Sequence, residues 1–406
     1  MIFTSVSIVI AFRCPAQIRS GERGMEVGEL RERAGEPPES DTLIVRECMR
    51  ARQLGPLLLV ILGLGSTAFA QLARQSAPVP ADPLELAMGP VEVADTADKR
   101  AAILALLERA RQNNNLHAPG SAPYRLRVSF NATGTPSLSG PGEMEEIWLA
   151  GDKWRWSARL GSYSQVRIWH DGIAYDTNAH AYLPLRLKML RGSIFWPVAG
   201  QLASRLIRIA PATSNGKTVT CALISGAWMP ATAEPGRRWQ EQEFCIDPNT
   251  GLLQTYSVAP GIYAAYDYSS GTPFHGSTVP RVLSIVVAGE TVLQAQISIE
   301  DAGAVDEGML APTQQMHGPG AVIVAPMRFA MIAPGQTGAG AGTVQPVIIH
   351  AAVDANGHVL EAEALQTSND ELSRAALDLV KRRNYGEAYR GETPLEREIF
   401  VNVEFR

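Results

Sequence analysis

The chain has 406 residues, 46 % hydrophobic and 19 % charged, with a mean hydropathy of −0.03. This is the composition of a globular protein with room for two or three domains, and it excludes a disordered polyelectrolyte. A formal net charge of −5, with no stretch of high basic density, excludes general attraction to nucleic acid or anionic lipid. The one gathering of positives, Arg186, Lys188 and Arg191, reads as a solvated surface.

Residues 1–48 read as a disordered upstream extension, with Met49 as the start of the exported chain. Arg50 and Arg52 precede an apolar run from Leu54 to Leu64, and Ala68-Phe69-Ala70 stands before Gln71. This is a signal peptide over 49–70, with cleavage between Ala70 and Gln71: the apolar run is shorter than the ~20 residues of a membrane span, and the small-x-small tripeptide suits the peptidase. The expected location is therefore the periplasm or cell envelope, with an inner-membrane anchor if the segment is retained. Cleavage removes as many basic as acidic residues, so the net charge is unchanged. Cys14 and Cys48 go with it, leaving Cys221 and Cys245 as a candidate disulfide between two strands. The absence of Cys-x-x-Cys or Cys/His ligand spacing argues against a structural zinc site, and no cofactor is expected.

Residues 71–94, rich in Pro and Ala, read as a flexible leader. An amphipathic helix follows, with Asp95 as N-cap, Ile103, Leu106 and Leu107 at helical spacing and a stop at Asn113-Asn114-Asn115. From Tyr124 short alternating segments are broken at Gly151-Asp152, Asp171-Gly172, Asn215-Gly216 and Asn249-Thr250-Gly251, which suits a meander of antiparallel strands. The hairpins "LAGDKWRW" and "IWHDGIAYDT" resemble the lipoprotein-carrier fold of the bacterial envelope, a half-open barrel with a helical lid, over residues 95–302. That resemblance implies an apolar ligand cavity, which Trp148, Trp154, Trp156 and Trp169 would line. The alternative is that these aromatics form the ordinary core of a sheet.

Residues 303–343 lose periodicity and end in a Gly-rich run, Gly335 to Thr343, read as an irregular linker; without a following Gly-Lys-Ser/Thr it is no phosphate loop. Templates for a nucleophile elbow, a zinc protease or a dinucleotide turn are missing, so the expectation is a non-enzyme. Ser214-Asn215-Gly216-Lys217 spells Ser-x-x-Lys, but Asn-Gly between β-rich runs makes a hairpin rather than the helix such chemistry needs.

At the C-terminus, "VQPVIIHAAVDANGHVLEAEAL" reads as two strands around Asp354-Ala355-Asn356-Gly357. Ser368 and Glu371 form a capping box, and Leu372, Ala375, Ala376, Leu379 and Val380 make one apolar helical stripe. In the closing strand Ile399, Val401, Val403 and Phe405 share one face, and Glu398, Phe400, Asn402 and Glu404 the other, read as solvent-facing. "VDANGHV", "SRAALDLVKRR", "GETPL" and "VNVEF" resemble, in order, the C-terminal domain of TonB-type energy transducers over residues 344–406. In that family the domain pairs with an extended segment of an outer-membrane receptor by strand addition. The resemblance implies an envelope protein partner, such as an outer-membrane receptor, bound at an open edge formed by 396–405 through Glu398, Phe400, Asn402 and Glu404.

The expected fold is thus α+β: an N-terminal helix on a curved antiparallel sheet, plus a small ββαβ C-terminal domain. The expected function is docking of an envelope partner, linked to TonB-dependent transport; the alternative is a periplasmic carrier of a lipid or other apolar ligand.

Overall fold

A computed structural model describes residues 88–178, 182–198, 202–214, 216–226, 231–318, 323–324, 328–331, 345–366 and 369–405. The upstream extension, the signal segment with Ala70 and Gln71, the run Gly335 to Thr343 and Ser368 lie outside the described residues. None of the described helices is long and apolar enough to cross a membrane.

Along the chain run β1 (Glu92–Val93), α1 (Ala97–Asn114), β2 (Tyr124–Ala132), β3 (Gly140–Ala150), β4 (Lys153–Leu160), β5 (Tyr163–His170) and β6 (Ile173–Asp176). After α2 (Leu185–Phe195) come β7 (Leu206–Ser214), β8 (Lys217–Ser225), β9 (Gln242–Ile246), β10 (Leu253–Ala259) and β11 (Ile262–Asp267). Then follow β12 (Thr272–Phe274), β13 (Ser277–Val279), β14 (Val282–Val287) and β15 (Glu290–Asp301). Strands β12 and β13 form their own hairpin; the others make one antiparallel sheet, in the order β1-β7-β8-β9-β10-β11-β14-β15-β2-β3-β4-β5-β6. The end strands β1 and β6 do not pair, so the sheet is not closed into a barrel.

The two-residue period of the sequence becomes two faces. In β2, Tyr124, Leu126, Val128, Phe130 and Ala132 are buried, while the residues between them are partly or fully exposed. The predicted β5–β6 turn is present: Asp171 and Gly172 take φ of 51° and 75°, the pair of left-handed residues a two-residue hairpin requires. Helix α1 starts one residue later than expected. Its cap is Thr96, whose hydroxyl accepts from the Lys99 amide, and it buries Ile103, Leu107, Ala110 and Asn114. The leader is also more ordered at its end than its composition suggests, because Met88 bridges Ala212 and β1 pairs with β7.

The C-terminal part comprises β16 (Ile323–Val324), β17 (Arg328–Met331), β18 (Gln345–Val353), β19 (Val359–Gln366), α3 (Asp370–Arg382), β20 (Tyr389–Arg390) and β21 (Thr393–Phe405). The predicted strand, strand, helix, strand succession is present. The helix cap is Asn369, accepting from the amides of Glu371 and Leu372. The predicted turn closes on Asp354, whose carboxylate accepts from the amides of Asn356 and His358. Gly357 must be glycine there: its φ is +88°, and a Cβ would lie 2.4 Å from the Gly386 nitrogen.

Two expectations about this region are corrected. Strand β21 is not an edge: it pairs antiparallel with β18 on one side, and parallel with β16 and β17, which come from the expected linker, on the other. Among the described residues the strands at the two ends of this sheet are β16 and β19. Nor, at the described positions 398–403, does β21 have a solvent face. Ile399, Val401 and Val403 pack with Ala376 and Val380 of α3, while Phe400 joins Ile348 and Leu365 in the core of the large sheet. Glu398 and Asn402 are buried on that second face, and Glu404 stands opposite Pro346 in the register with β18.

Candidate functional site

Register places the four tryptophans of the sequence reading on one face. Tyr124, Trp148, Trp154, Trp169 and Ala174 lie directly opposite one another from β2 to β6, and Leu126, Glu146, Trp156, Arg167 and Asp176 form the next row. Trp154 and Trp169 are stacked, with ring centres 6.1 Å apart. The aromatic face exists, but not as an open cavity, because α2 fills it.

Helix α2 is buried on nearly every side: of its residues only Met189, Arg191 and Gly192 keep partial exposure. A surface helix would show one apolar stripe, and this one does not. Leu187, Leu190, Ile194 and Phe195 enter the core of the large sheet. Arg191 sets its guanidinium 5.1 Å from the ring centre of Trp156, 4.9 Å from Trp196 and 6.0 Å from Trp154. Burial pulls the pKa of Arg191 down to about 10, which nearby Glu146 opposes. Glu146, fully buried, lies 2.6 Å from His117 Nε2 and accepts from the Tyr124 hydroxyl at 2.5 Å. The His117 ring is sandwiched between Trp148 and Phe195, at 4.1 and 4.7 Å. Burial first, then the Glu146 charge, pushes the Tyr124 phenol far above its ordinary pKa.

The opposite side of α2 meets the C-terminal sheet. Arg186 forks onto Glu363 of β19 at 2.8 and 2.5 Å and donates through Nε to the Thr133 carbonyl. The Leu185 amide donates to Glu361, and Lys188 stands 4.0 Å from Glu396. Fully buried His350 lies 3.4 Å from Glu363 and 3.1 Å from Glu398, stacked on Phe400. Burial alone would lower the His350 pKa, but hydrogen bonds to the two carboxylates raise it to about 8. Against the cost of burial, His350 and Arg186 hold Glu363 at about 2. Burial raises Glu396 to about 7, with Lys188 only partly opposing it.

The charge run Arg186, Lys188 and Arg191 is therefore interior, not a solvated surface. Glu398, Phe400 and Asn402, expected to meet a partner, face the protein's own core instead. Charged residues on a strand look solvent-directed because their counter-charges lie on distant elements. Sequence reasoning missed Arg191, His350 and Glu363; the one local hint was the weak alternation of "VLEAEAL", where Glu361 and Glu363 flank Ala362.

Cys221 and Cys245 are joined in a disulfide, as neighbours in the β8–β9 register, and both are fully buried. Glu243 lies 3.1 Å from the Cys245 sulfur. These three residues have metal-ligand spacing, but with both sulfurs in the bond no thiolate remains to ligate. A groove of about 670 Å³ opens on the outer face of the large sheet, lined by Arg127, Glu143, Glu145, Arg155, Arg159 and Arg281 among others. Its lining mixes charged and apolar side chains, and Glu145 is shared by Arg125, Arg127 and Arg155.

No protein-family model matches the chain, and no curated protein matches it. Among solved structures it is similar to a LolA superfamily protein of Nitrosomonas europaea, at 7 % identity and a TM-score of 0.33, over 51 % of this chain and 96 % of that one. It is similar to an outer membrane lipoprotein-sorting protein domain from Vibrio parahaemolyticus at 7 % identity and a TM-score of 0.31, over 52 % and 97 %. A DUF1329 family protein from Desulfovibrio piger aligns at 10 % identity and a TM-score of 0.30, over 52 % and 97 %.

Proposed function

We propose that this chain is a non-catalytic carrier of the cell envelope that holds a lipid or other apolar ligand on the aromatic face of its large sheet, with α2 occupying that face in the empty state. One observation carries the reading: the layer between α2 and the sheet is apolar in the main yet poorly satisfied. Glu146 Oε2, Trp156 Nε1 and Arg191 Nε are buried there without hydrogen-bond partners. Each such atom costs on the order of 1 to 3 kcal/mol, which narrows the gap between a face covered by α2 and one covered by ligand. The open sheet supports the same reading, since its end strands β1 and β6 do not pair with each other. Export by the segment 49–70 would place the carrier in the periplasm.

The test is native mass spectrometry of the full exported chain after incubation with lipid extract of its own envelope. Saturable adducts of lipid mass, lost on substituting Trp156→Arg, support the reading. No adduct at any lipid concentration removes it.

A second reading, docking of an envelope protein such as an outer-membrane receptor, moves from β21 to β19. Strand β19 ends its sheet and presents Leu360 at 39 % exposure, so a partner segment in extended form could add to it through main-chain bonds. Crosslinking from a photoreactive residue at 360 tests this; crosslinks only to bulk solvent products would remove it.

A further inference from the structure

We infer that the C-terminal sheet is an intramolecular clamp that holds α2 on the aromatic face, so that loosening the clamp is what opens the face. The inference rests on the carrier reading for its consequence but on separate geometry for its mechanism. Three contacts tie α2 to this sheet: the Arg186–Glu363 fork, the Leu185 amide on Glu361, and Lys188 facing Glu396. Two of them converge on β19, whose carboxylates at 361 and 363 point at the start of the helix. His350 of β18 stands behind Glu363 and bridges it to Glu398 of β21, so β18, β19 and β21 share one network.

The opposite grip is of a different kind. Against the large sheet, α2 makes apolar contacts, the Arg191–tryptophan stack and single hydrogen bonds from Arg186 to Thr133 and from Tyr266 to Ser193. An apolar ligand can replace contacts of the first kind, since burial of apolar surface is non-directional. It cannot replace a buried two-point ion pair, because withdrawing one partner strands the other charge. The clamp therefore sets whether α2 stays, while the aromatic face sets what may take its place.

The experiment uses the full chain with R186E, E363R and the doubly substituted R186E/E363R. Hydrogen exchange by mass spectrometry is read at residues 185–195, and uptake of a fluorescent fatty acid is read in parallel. Each single substitution should speed exchange in 185–195 by about tenfold or more and quicken uptake, and the double swap should restore much of both. If either single variant loses protection throughout the large sheet, the isosteric E363Q takes its place, and the same local rise is required of it. Exchange in 185–195 that is unchanged in the folded variants overturns the clamp. Faster exchange without uptake in any chain, wild type included, leaves the clamp standing and removes the carrier reading.

Discussion

Arg186 of α2 and Glu363 of β19 meet through two nitrogen–oxygen contacts of 2.8 and 2.5 Å, although 177 residues separate them in the chain. Such a pair is a weak source of net stability but a costly one to break. E363A should destabilise the protein by about 3 to 5 kcal/mol, because Arg186 is left buried and unpaired, whereas R186M/E363L should cost far less. Chemical denaturation of the three chains measures the difference; equal losses in both variants would contradict the assignment.

The buried network predicts a loss of stability toward alkaline pH. Burial raises Glu396 to about 7, and the hydrogen bonds to Glu363 and Glu398 outweigh burial to raise His350 to about 8. Both folded values lie above the unfolded ones, so each contribution is full below the unfolded value and is lost as pH rises through the folded one. Glu363, held at about 2, works in reverse: its contribution is full above the ordinary carboxylate range and is lost only as pH falls toward 2. Melting temperature should therefore peak near the ordinary carboxylate value, about pH 4.5, and fall from there to about pH 8.5, and E396Q should flatten the earlier part of the fall. A melting temperature that climbs from pH 6 to 8.5 would overturn this.

The disulfide closes a separation of 24 residues. In the chain-entropy model that loop is worth about 3 to 4 kcal/mol, so C221A/C245A should lower unfolding free energy by roughly that amount without moving the strands, since both sulfurs sit in register. Urea titration gives the value. Two free thiols in unreduced exported protein would refute the bond itself.

Asn402 shows where reading the sequence succeeds and where it stops. Alternation in "IFVNVEF" correctly assigns Ile399, Val401 and Val403 to the face beneath α3. The same alternation assigns Glu398, Phe400 and Asn402 to solvent, and that fails, because a strand's own sequence holds no record of the elements that cover its second face. Arg186 and Lys188 of α2 supply the cover, and His350 and Glu363 of the neighbouring strands β18 and β19 complete the charge network on that face. The tryptophan row was legible, since Trp148, Trp154 and Trp169 fall at positions that a hairpin ladder must bring together. Its occupation by α2 was not, because Arg186, Lys188 and Arg191 read as a solvated surface until each charge is seen beside a carboxylate or an indole. The position of Asn402 yields a prediction as well: in a strand paired on both sides, N402P should unfold the C-terminal sheet, at a cost of about 3 kcal/mol or more, rather than merely blunt an edge. Circular dichroism with thermal melting decides; a fully folded N402P chain of native stability would contradict the interior placement.

If the face beneath α2 receives an apolar ligand, a brominated fatty acid bound there quenches the fluorescence of the tryptophans that form it. The full chain is titrated beside W154F/W156F, which removes the two indoles under Arg191. Saturable quenching is expected in the wild-type chain, with a clearly smaller amplitude in the variant, where Trp148 and Trp169 of the same row remain. Quenching that never saturates, or that is the same in both chains, would place the fatty acid elsewhere and remove the carrier reading.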